Sequence, residues 1–384
     1  MKIVIASDSF KGSNSSLAVA ARVEAGIRKV YPDAEILPVA IADGGEGTVD
    51  AMIAGAGGRR VTTRVTGPLG EETDSFYGML DTGEAVIEMA AASGLPMVPA
   101  DRKYPRITTT YGTGQLLRAA LDAGARKIYI GIGGSATNDG GIGLAQALGA
   151  SFRDAAGHEL GYGGAELARL AHIDLAGLDP RLMDTEIVVS CDVNNPLCGE
   201  RGASAIFGPQ KGATPEMVRM LDDALAHYAE VVRTQLGIDH ADTPGAGAAG
   251  GLGYALLVFA QAQLRPGIEI VLDVAGFDAK AADADLVITG EGRIDAQSVM
   301  GKVPVGVGMR AKKWGKPVLA IVGDIGPGAE AVYAHGVDAI MSTVNRAMPL
   351  DEALARSGEL LEDAAERVMR MVRLGTGIGS QEGR

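Results

Sequence analysis

Leu286-Val287-Ile288-Thr289-Gly290-Glu291-Gly292-Arg293-Ile294-Asp295-Ala296-Gln297-Ser298-Val299-Met300-Gly301-Lys302 is where hydrophobic pattern and charge meet in this chain. The short apolar, β-branched run Leu286 to Ile288 predicts a buried parallel strand, expected to stop where the polar residues begin at Thr289. In open α/β sheets that end of a strand is where ligands bind. Glu291, Arg293, Asp295 and Lys302 then share one expected loop with Gly290, Gly292 and Gly301, glycines that let backbone amides approach an anion closely. Two acids, two bases and free amides suit a metal-bound polyphosphate.

The same design recurs outward from this stretch. Lys2 to Ser7 reads as a buried strand, and Leu17 to Val30 as a helix with Leu17, Ala20, Ile27 and Val30 on one face and Ser15 or Ser16 as its cap. Between them lies Asp8-Ser9-Phe10-Lys11-Gly12-Ser13, an acid beside a lysine and several hydroxyls. Glu35 to Val39 predicts the next strand, and Asp43-Gly44-Gly45-Glu46-Gly47-Thr48 leads into a helix from about Val49. Toward the other end, Pro317 to Val322 and Ala339 to Met341 read as strands and Leu350 to Arg373 as one closing helix.

The middle has a different texture. Arg59 to Thr66, Thr73 to Met79 and Glu84 to Met89 predict an antiparallel patch with a turn at Gly67-Pro68-Leu69-Gly70. Gly114 to Ala123 predicts a helix, Lys127 to Ile132 and Glu186 to Ser190 strands, and Pro215 to Leu236 a long helix capped by Thr214. Ala246 to Gly253 is too rich in glycine for a stable helix and reads as a loop or a close backbone contact, and Ile268 to Leu272 as another strand. The expectation is a mixed α/β protein of two domains. One is discontinuous, residues 1–66 with 285–384; the other is inserted, residues 67–284, and carries glycine-rich loops, with the active site expected in a cleft between them.

At 384 residues the chain is long enough for two cores. Its net charge of −13 argues against a nucleic-acid partner or an anionic membrane surface, which need a cationic face. No apolar run approaches the length that spans a bilayer, and Met1 leads straight into a strand, so a cytoplasmic location is expected. Cys191 and Cys198 have no partner set for zinc or a disulfide framework and read as reduced thiols. None of the five histidines lies in a motif, which disfavours Ser-His-Asp hydrolysis.

Gly131-Ile132-Gly133-Gly134-Ser135-Ala136 fits the G-x-G-x-x-A dinucleotide fingerprint, with Asp154 about twenty residues on. That fingerprint needs a helix at once, whereas Asn138-Asp139-Gly140-Gly141 and Gly143 would break its first turns. A loop whose amides cradle phosphates fits better; a purely structural glycine turn is the plain alternative. Asp43 to Glu46 taken alone reads as a cap, but carboxylates at Asp8, Asp192, Glu291 and Asp295, all at predicted strand ends, outnumber what capping explains. Lys211, between glycines in Phe207-Gly208-Pro209-Gln210-Lys211-Gly212, reads either as a phosphate contact or as a solvated loop lysine.

With these segments in place, the chain resembles the bacterial glycerate kinase family whose members make 2-phosphoglycerate. The resemblance runs through Asp8 to Ser13, Ala42 to Thr48, Gly131 to Gly143, Cys191 to Gly199, Phe207 to Ala213, Ala248 to Gly253 and Asp285 to Pro304, in the family's order. Asn14 departs from it, since a leucine commonly follows Gly-Ser there. The resemblance implies ATP- and Mg²⁺-dependent phosphorylation of D-glycerate, and a Rossmann-like domain built from both chain ends with an inserted α/β domain.

Phosphoryl transfer asks a protein for positioning, positive charge near the transferred group and an acid or base on the acceptor hydroxyl. Lys11, Lys211 and Lys302 are candidates for phosphate contacts, with Ser13 and the amides of Gly133, Gly134 and Ser135 for the nucleotide. Arg293 suits the glycerate carboxylate, with Asp8 beside it. Asp43, Glu46 and Glu291 are the metal candidates. Asp192, then Asp295, are the candidate bases. A nicotinamide-dependent hydroxy-acid dehydrogenase, a kinase giving 3-phosphoglycerate and a non-catalytic nucleotide-binding regulator are the rivals; the sequence sets no oligomeric state.

Overall fold

The computed structural model describes residues 1–41, 47–299 and 301–379. Asp43 and Glu46 therefore lie outside the described residues. In chain order the strands are β1 (Lys2–Ser7), β2 (Glu35–Pro38), β3 (Gly58–Thr66), β4 (Glu72–Leu80), β5 (Ala85–Glu88) and β6 (Lys127–Gly131). They continue with β7 (Ser151–Arg153), β8 (His172–Asp174), β9 (Glu186–Ser190), β10 (Gln263–Arg265), β11 (Leu286–Ile294), β12 (Val318–Ile325) and β13 (Ala339–Ser342).

Two compact units emerge. The first joins Met1–Asp43 to Ile268–Arg384 and holds a parallel sheet of order β13-β12-β11-β1-β2. β1 lies inside that sheet, and Ile3 to Ala6 are fully buried, which is why they read as an unbroken apolar run. Helix Ser16–Arg28, capped by the Ser15 hydroxyl on the Ala18 amide, packs against helix Ser357–Gly379. Gly26 permits this contact: a Cβ there would stand 2.3 Å from the Glu362 carbonyl oxygen. Val19, Val23 and Ile27 then meet Leu361, Ala365 and Val368 in one core. The closing helix is broken in two, Leu350–Ala355 and Ser357–Gly379, where the Ser357 hydroxyl accepts from Asn14 Nδ2 at 2.8 Å.

The second unit, Gly44–Gly267, holds a mixed sheet of order β10-β9-β6-β5-β4-β3 and a small β7-β8 hairpin. β3, β4 and β5 are the antiparallel patch; from β5 through β6 and β9 to β10 the pairing is parallel. Helix Pro215–Leu236 starts on the Thr214 hydroxyl and ends at Gly237 with φ +70°, burying Leu221, Leu225, Tyr228 and Val232.

Both unit borders fall earlier than Thr66 and Asp285. β3 pairs with β4 from Gly58 to Thr66 and so belongs to the second sheet. Residues 268–284 join the first unit as helices Gly267–Val274 and Phe277–Ala282, held by Arg310 on Asp273 and on Asp278, the latter at 2.7 Å. Ile268 to Leu272 is thus helical rather than a strand: Pro266 interrupts the chain, β10 takes the sheet position, and Asp192 Oδ1 accepts the Gly267 amide at 2.9 Å. A second correction concerns Ala246 to Gly253, where helix Ala248–Ala260 begins with left-handed residues Ala249, Gly250 and Gly251 and is regular only beyond them.

Candidate functional site

The carboxyl end of β11 differs from expectation in an informative way. The strand does not stop at Thr289; it runs on to Ile294. β1 accompanies it only to the Ser7↔Gly290 pair, while β12 continues to Ile294↔Ile325. Glu291 to Ile294 is therefore strand on one side and unpaired with β1 on the other, and Glu291 and Arg293 are held by a sheet rather than by a loop. The loop begins with Asp295, whose Oδ1 accepts the Gln297 amide at 2.9 Å.

Glu291 is buried, and its Oε1 accepts the Ser298 hydroxyl at 2.6 Å. Lys302 Nζ stands 3.7 Å from Oε2. Burial raises the proton affinity of Glu291, Asp8 and Asp295 add to the rise, and Ser298 and Lys302 oppose it. Ser298 in turn accepts the Asp295 amide at 3.1 Å, so one hydroxyl ties the strand end to the loop. Arg293 is more than half exposed, with Nε 3.6 Å from both Asp295 Oδ2 and Asp324 Oδ2. Asp324 escaped notice in the sequence, although it stands two residues past Val322, at the kind of strand end that singled out Asp8 and Glu291. Asp8 follows β1, with its Oδ1 on the Ser9 amide at 2.6 Å. Lys11 is exposed, and the Ser13 hydroxyl donates to the Phe10 carbonyl at 3.0 Å, 3.2 Å from the Ser357 hydroxyl. The first unit therefore brings Asp8, Asp295 and Lys302 into electrostatic reach of Glu291, with Arg293 paired to Asp295 at the edge.

In the second unit, residues 132 to 141 form the non-helical loop expected after β6, and the helix waits until Ile142–Ala147. Gly133 and Gly134 are exposed, and among the described residues their amides meet no backbone carbonyl. Ser135 is buried and bridges to Gly94. Asp154, where the dinucleotide fingerprint wants a free acid, instead holds Arg169 at 2.7 Å and the amides of Ala156 and His158. Asp139 is completely buried; it accepts the amide and hydroxyl of Thr110, each at 2.8 Å, and the Gly141 amide at 3.1 Å. Lys211 is neither solvated nor exposed to a ligand. It is 2% exposed, and its Nζ donates to the Thr137 carbonyl at 2.5 Å. Burial lowers its pKa to about 7, against a favourable pull from Asp139.

Asp192, exposed just beyond β9, keeps its carboxylate on the Gly267 amide. Glu88 is a residue the sequence did not single out: at the end of β5 it is buried and accepts the Val49 amide at 2.7 Å, with the Gly47 amide also on it, so it fixes the start of helix Thr48–Ala56. Its signal was an acid closing the apolar run Ala85-Val86-Ile87.

Burial, with Asp8 and Asp295 adding to it, raises the proton affinity of Glu291, and a cation placed there would offset that; among the described residues no group of three or more metal-binding side chains converges. Mg²⁺ takes one or two carboxylates and completes its shell with water and phosphate oxygens, and the Glu291 carboxylate is an oxygen donor of that kind. Among the described residues, no helix is long and apolar enough to cross a membrane.

A parallel sheet assembled from both chain ends and an inserted mixed sheet define a mixed α/β protein with charged residues at the carboxyl end of β11. Residues 3–373 match the model of the glycerate kinase family. The glycerate kinase of Bacillus subtilis (strain 168) is 52% identical over 375 residues, covering 97% of this chain and 98% of that one. The glycerate 2-kinase of Escherichia coli (strain K12) is 51% identical over 376 residues, covering 98% and 99%. A crystal structure from Salmonella typhimurium LT2, described as that of a proposed glycerate kinase 2, superposes with a TM-score of 0.89 at 52% identity over 98% of this chain and 99% of that one. The chain belongs to the glycerate kinase family, and its activity is that of a kinase on a small molecule.

Proposed function

We propose that the chain transfers the γ-phosphoryl group of ATP to the 2-hydroxyl of D-glycerate, giving 2-phosphoglycerate, in the cytoplasm. The observation that carries this reading is the charged end of β11, where a buried acid and an arginine are held by sheet pairing and Lys302 stands 3.7 Å from the acid. The 2-hydroxyl is favoured by the E. coli relative, named glycerate 2-kinase.

In this reading Arg293, held at the rim by Asp295 and Asp324, receives the glycerate carboxylate, for which a planar fork is the best match. Asp8 stands by the same substrate. Lys302 and Lys11 face phosphate oxygens, with Ser13 and the Gly133–Ser135 turn for the nucleotide. Mg²⁺ supplies charge neutralisation on the phosphates when bound, and Glu291, with Asp43 and Glu46, would hold it. Asp192 receives the hydroxyl proton, with Asp295 as second choice; each carboxylate has one oxygen on a backbone amide, of Gly267 and Gln297 respectively.

The test is a coupled assay for ADP with and without D-glycerate and Mg²⁺, followed by phosphorus NMR of the product. The expected outcome is glycerate-dependent ADP release and a 2-phosphate resonance. A 3-phosphate resonance would correct the regiochemistry, and glycerate-dependent reduction of NAD without ADP would overturn the kinase reading.

A further inference from the structure

Three segments that the sequence singles out, two as candidate phosphate contacts and Ala246 to Gly253 as a loop or close backbone contact, meet inside the second unit, away from solvent. Thr137 is the meeting point. On one side Lys211, in the turn Pro209–Lys211, donates to its carbonyl. On another, Gly250 lies so close that a Cβ would stand 2.0 Å from the same oxygen. Gly250 returns a bond, its carbonyl accepting the Gly140 amide at 3.0 Å.

A buried lysine is costly, because the ammonium gives up water for whatever the interior offers. Here the interior offers one hydrogen bond and a carboxylate at long range: Asp139 has no ion pair with Lys211 within 4.0 Å and spends its oxygens on Thr110, Gly141 and Gly143. An apolar side chain of similar volume would serve stability better. What Lys211 does that a methionine would not is fix one carbonyl, three residues beyond the exposed Gly134. The neighbouring residues are held too, Ala136 by the Thr108 hydroxyl at 2.9 Å and Asn138 on the Ser204 hydroxyl at 2.9 Å.

We propose that Lys211 is a positioning residue: from the core it fixes the Thr137 carbonyl, and so sets the exposed Gly133–Gly134 turn for nucleotide phosphate. This rests on the kinase reading above and changes the part Lys211 plays in it, from touching phosphate to shaping what touches it. Positional errors of an ångström in such a loop cost binding and rate steeply.

The experiment compares Lys211→Met, which keeps volume but has no donor, with Lys211→Gln, which keeps an amide donor and loses the charge. Expected are a KM for ATP raised about tenfold in Lys211→Met, a KM for D-glycerate within about twofold of wild type, and recovery of most of the ATP effect in Lys211→Gln. Gly250→Ala, pressing on the same carbonyl from the other side, should raise the same constant, and calorimetric titration with ADP should show the same ranking without turnover. A folded Lys211→Met with unchanged ATP KM, or Lys211→Gln binding nucleotide worse than Lys211→Met, as simple packing would have it, overturns the proposal. Wild-type protein without ATP-dependent turnover would instead overturn the kinase reading and leave the ADP titration to judge the positioning role.

Discussion

The end of β11 and the loop after β6 both follow parallel strands, yet they spend their polar groups in opposite ways. At β11 the charges of Arg293 and Lys302 stay partly exposed, and only Glu291 is sunk. In the 131–141 loop the exposed part is backbone, Gly133 and Gly134, while the side chains of Thr137, Asn138 and Asp139 turn inward and are fully buried. The first region presents side-chain charge; the second presents main chain held by a buried polar frame. If both bind ligand as proposed, the glycine-rich loop is expected to fail through shape when mutated and the charged strand end through charge.

The sharpest way to break this contrast is Asp192, which by exposure belongs with the β11 end although it sits in the other unit. Asp192→Asn should lower turnover by about 100-fold, the range expected for loss of a proton acceptor, with ATP binding unchanged. Near-normal turnover in stopped assays would remove it from the mechanism. Next in size is Arg293→Ala, expected to raise the glycerate KM about tenfold with little change in melting temperature, because Arg293 is half exposed and its ion pairs are worth little to the fold. An unchanged glycerate KM would return Arg293 to a plain surface role.

A further effect is one of pH on stability. Lys211 titrates at its ordinary value of 10.5 when unfolded and at about 7 in the fold. Between those values the unfolded chain carries the extra proton, so stability should rise with pH through that window, by at most about 1.4 kcal/mol per unit. Denaturant titrations of wild type and Lys211→Met at pH 7, 8 and 9 isolate the contribution. A difference between the two that stays flat with pH would mean that Lys211 keeps its proton throughout.

Much of this was legible. The buried β1, the helix after it and the long helix Pro215–Leu236 followed from period and caps, and the refusal of the Gly131 motif to open a helix followed from its glycines. Three things were hidden for physical reasons. The length of β11 depends on β12 outlasting β1 beside it, a register no local pattern carries. Four apolar residues among the five from Ile268 to Leu272 are too few to separate strand from helix, and the decision fell to Pro266 and Asp192. The burial of Lys211 comes with its bond to the Thr137 carbonyl, 74 positions away, whereas composition alone places a lone lysine in water.

The central place of β1 has a consequence for how the molecule is made. Its partner β11 comes so late that the Lys2 amide and the Asp285 carboxylate it bonds are 283 positions apart. At roughly 5–20 residues per second, synthesis leaves that edge of β1 waiting for a time on the order of tens of seconds. The second unit is contiguous from Gly44 to Gly267 and is complete in the meantime. The nascent chain is therefore expected to carry a finished inner domain while β1, paired with β2 on one side, keeps its other edge along Ile3, Val4 and Ile5 open, and it is this edge that a ribosome-associated chaperone would need to shield.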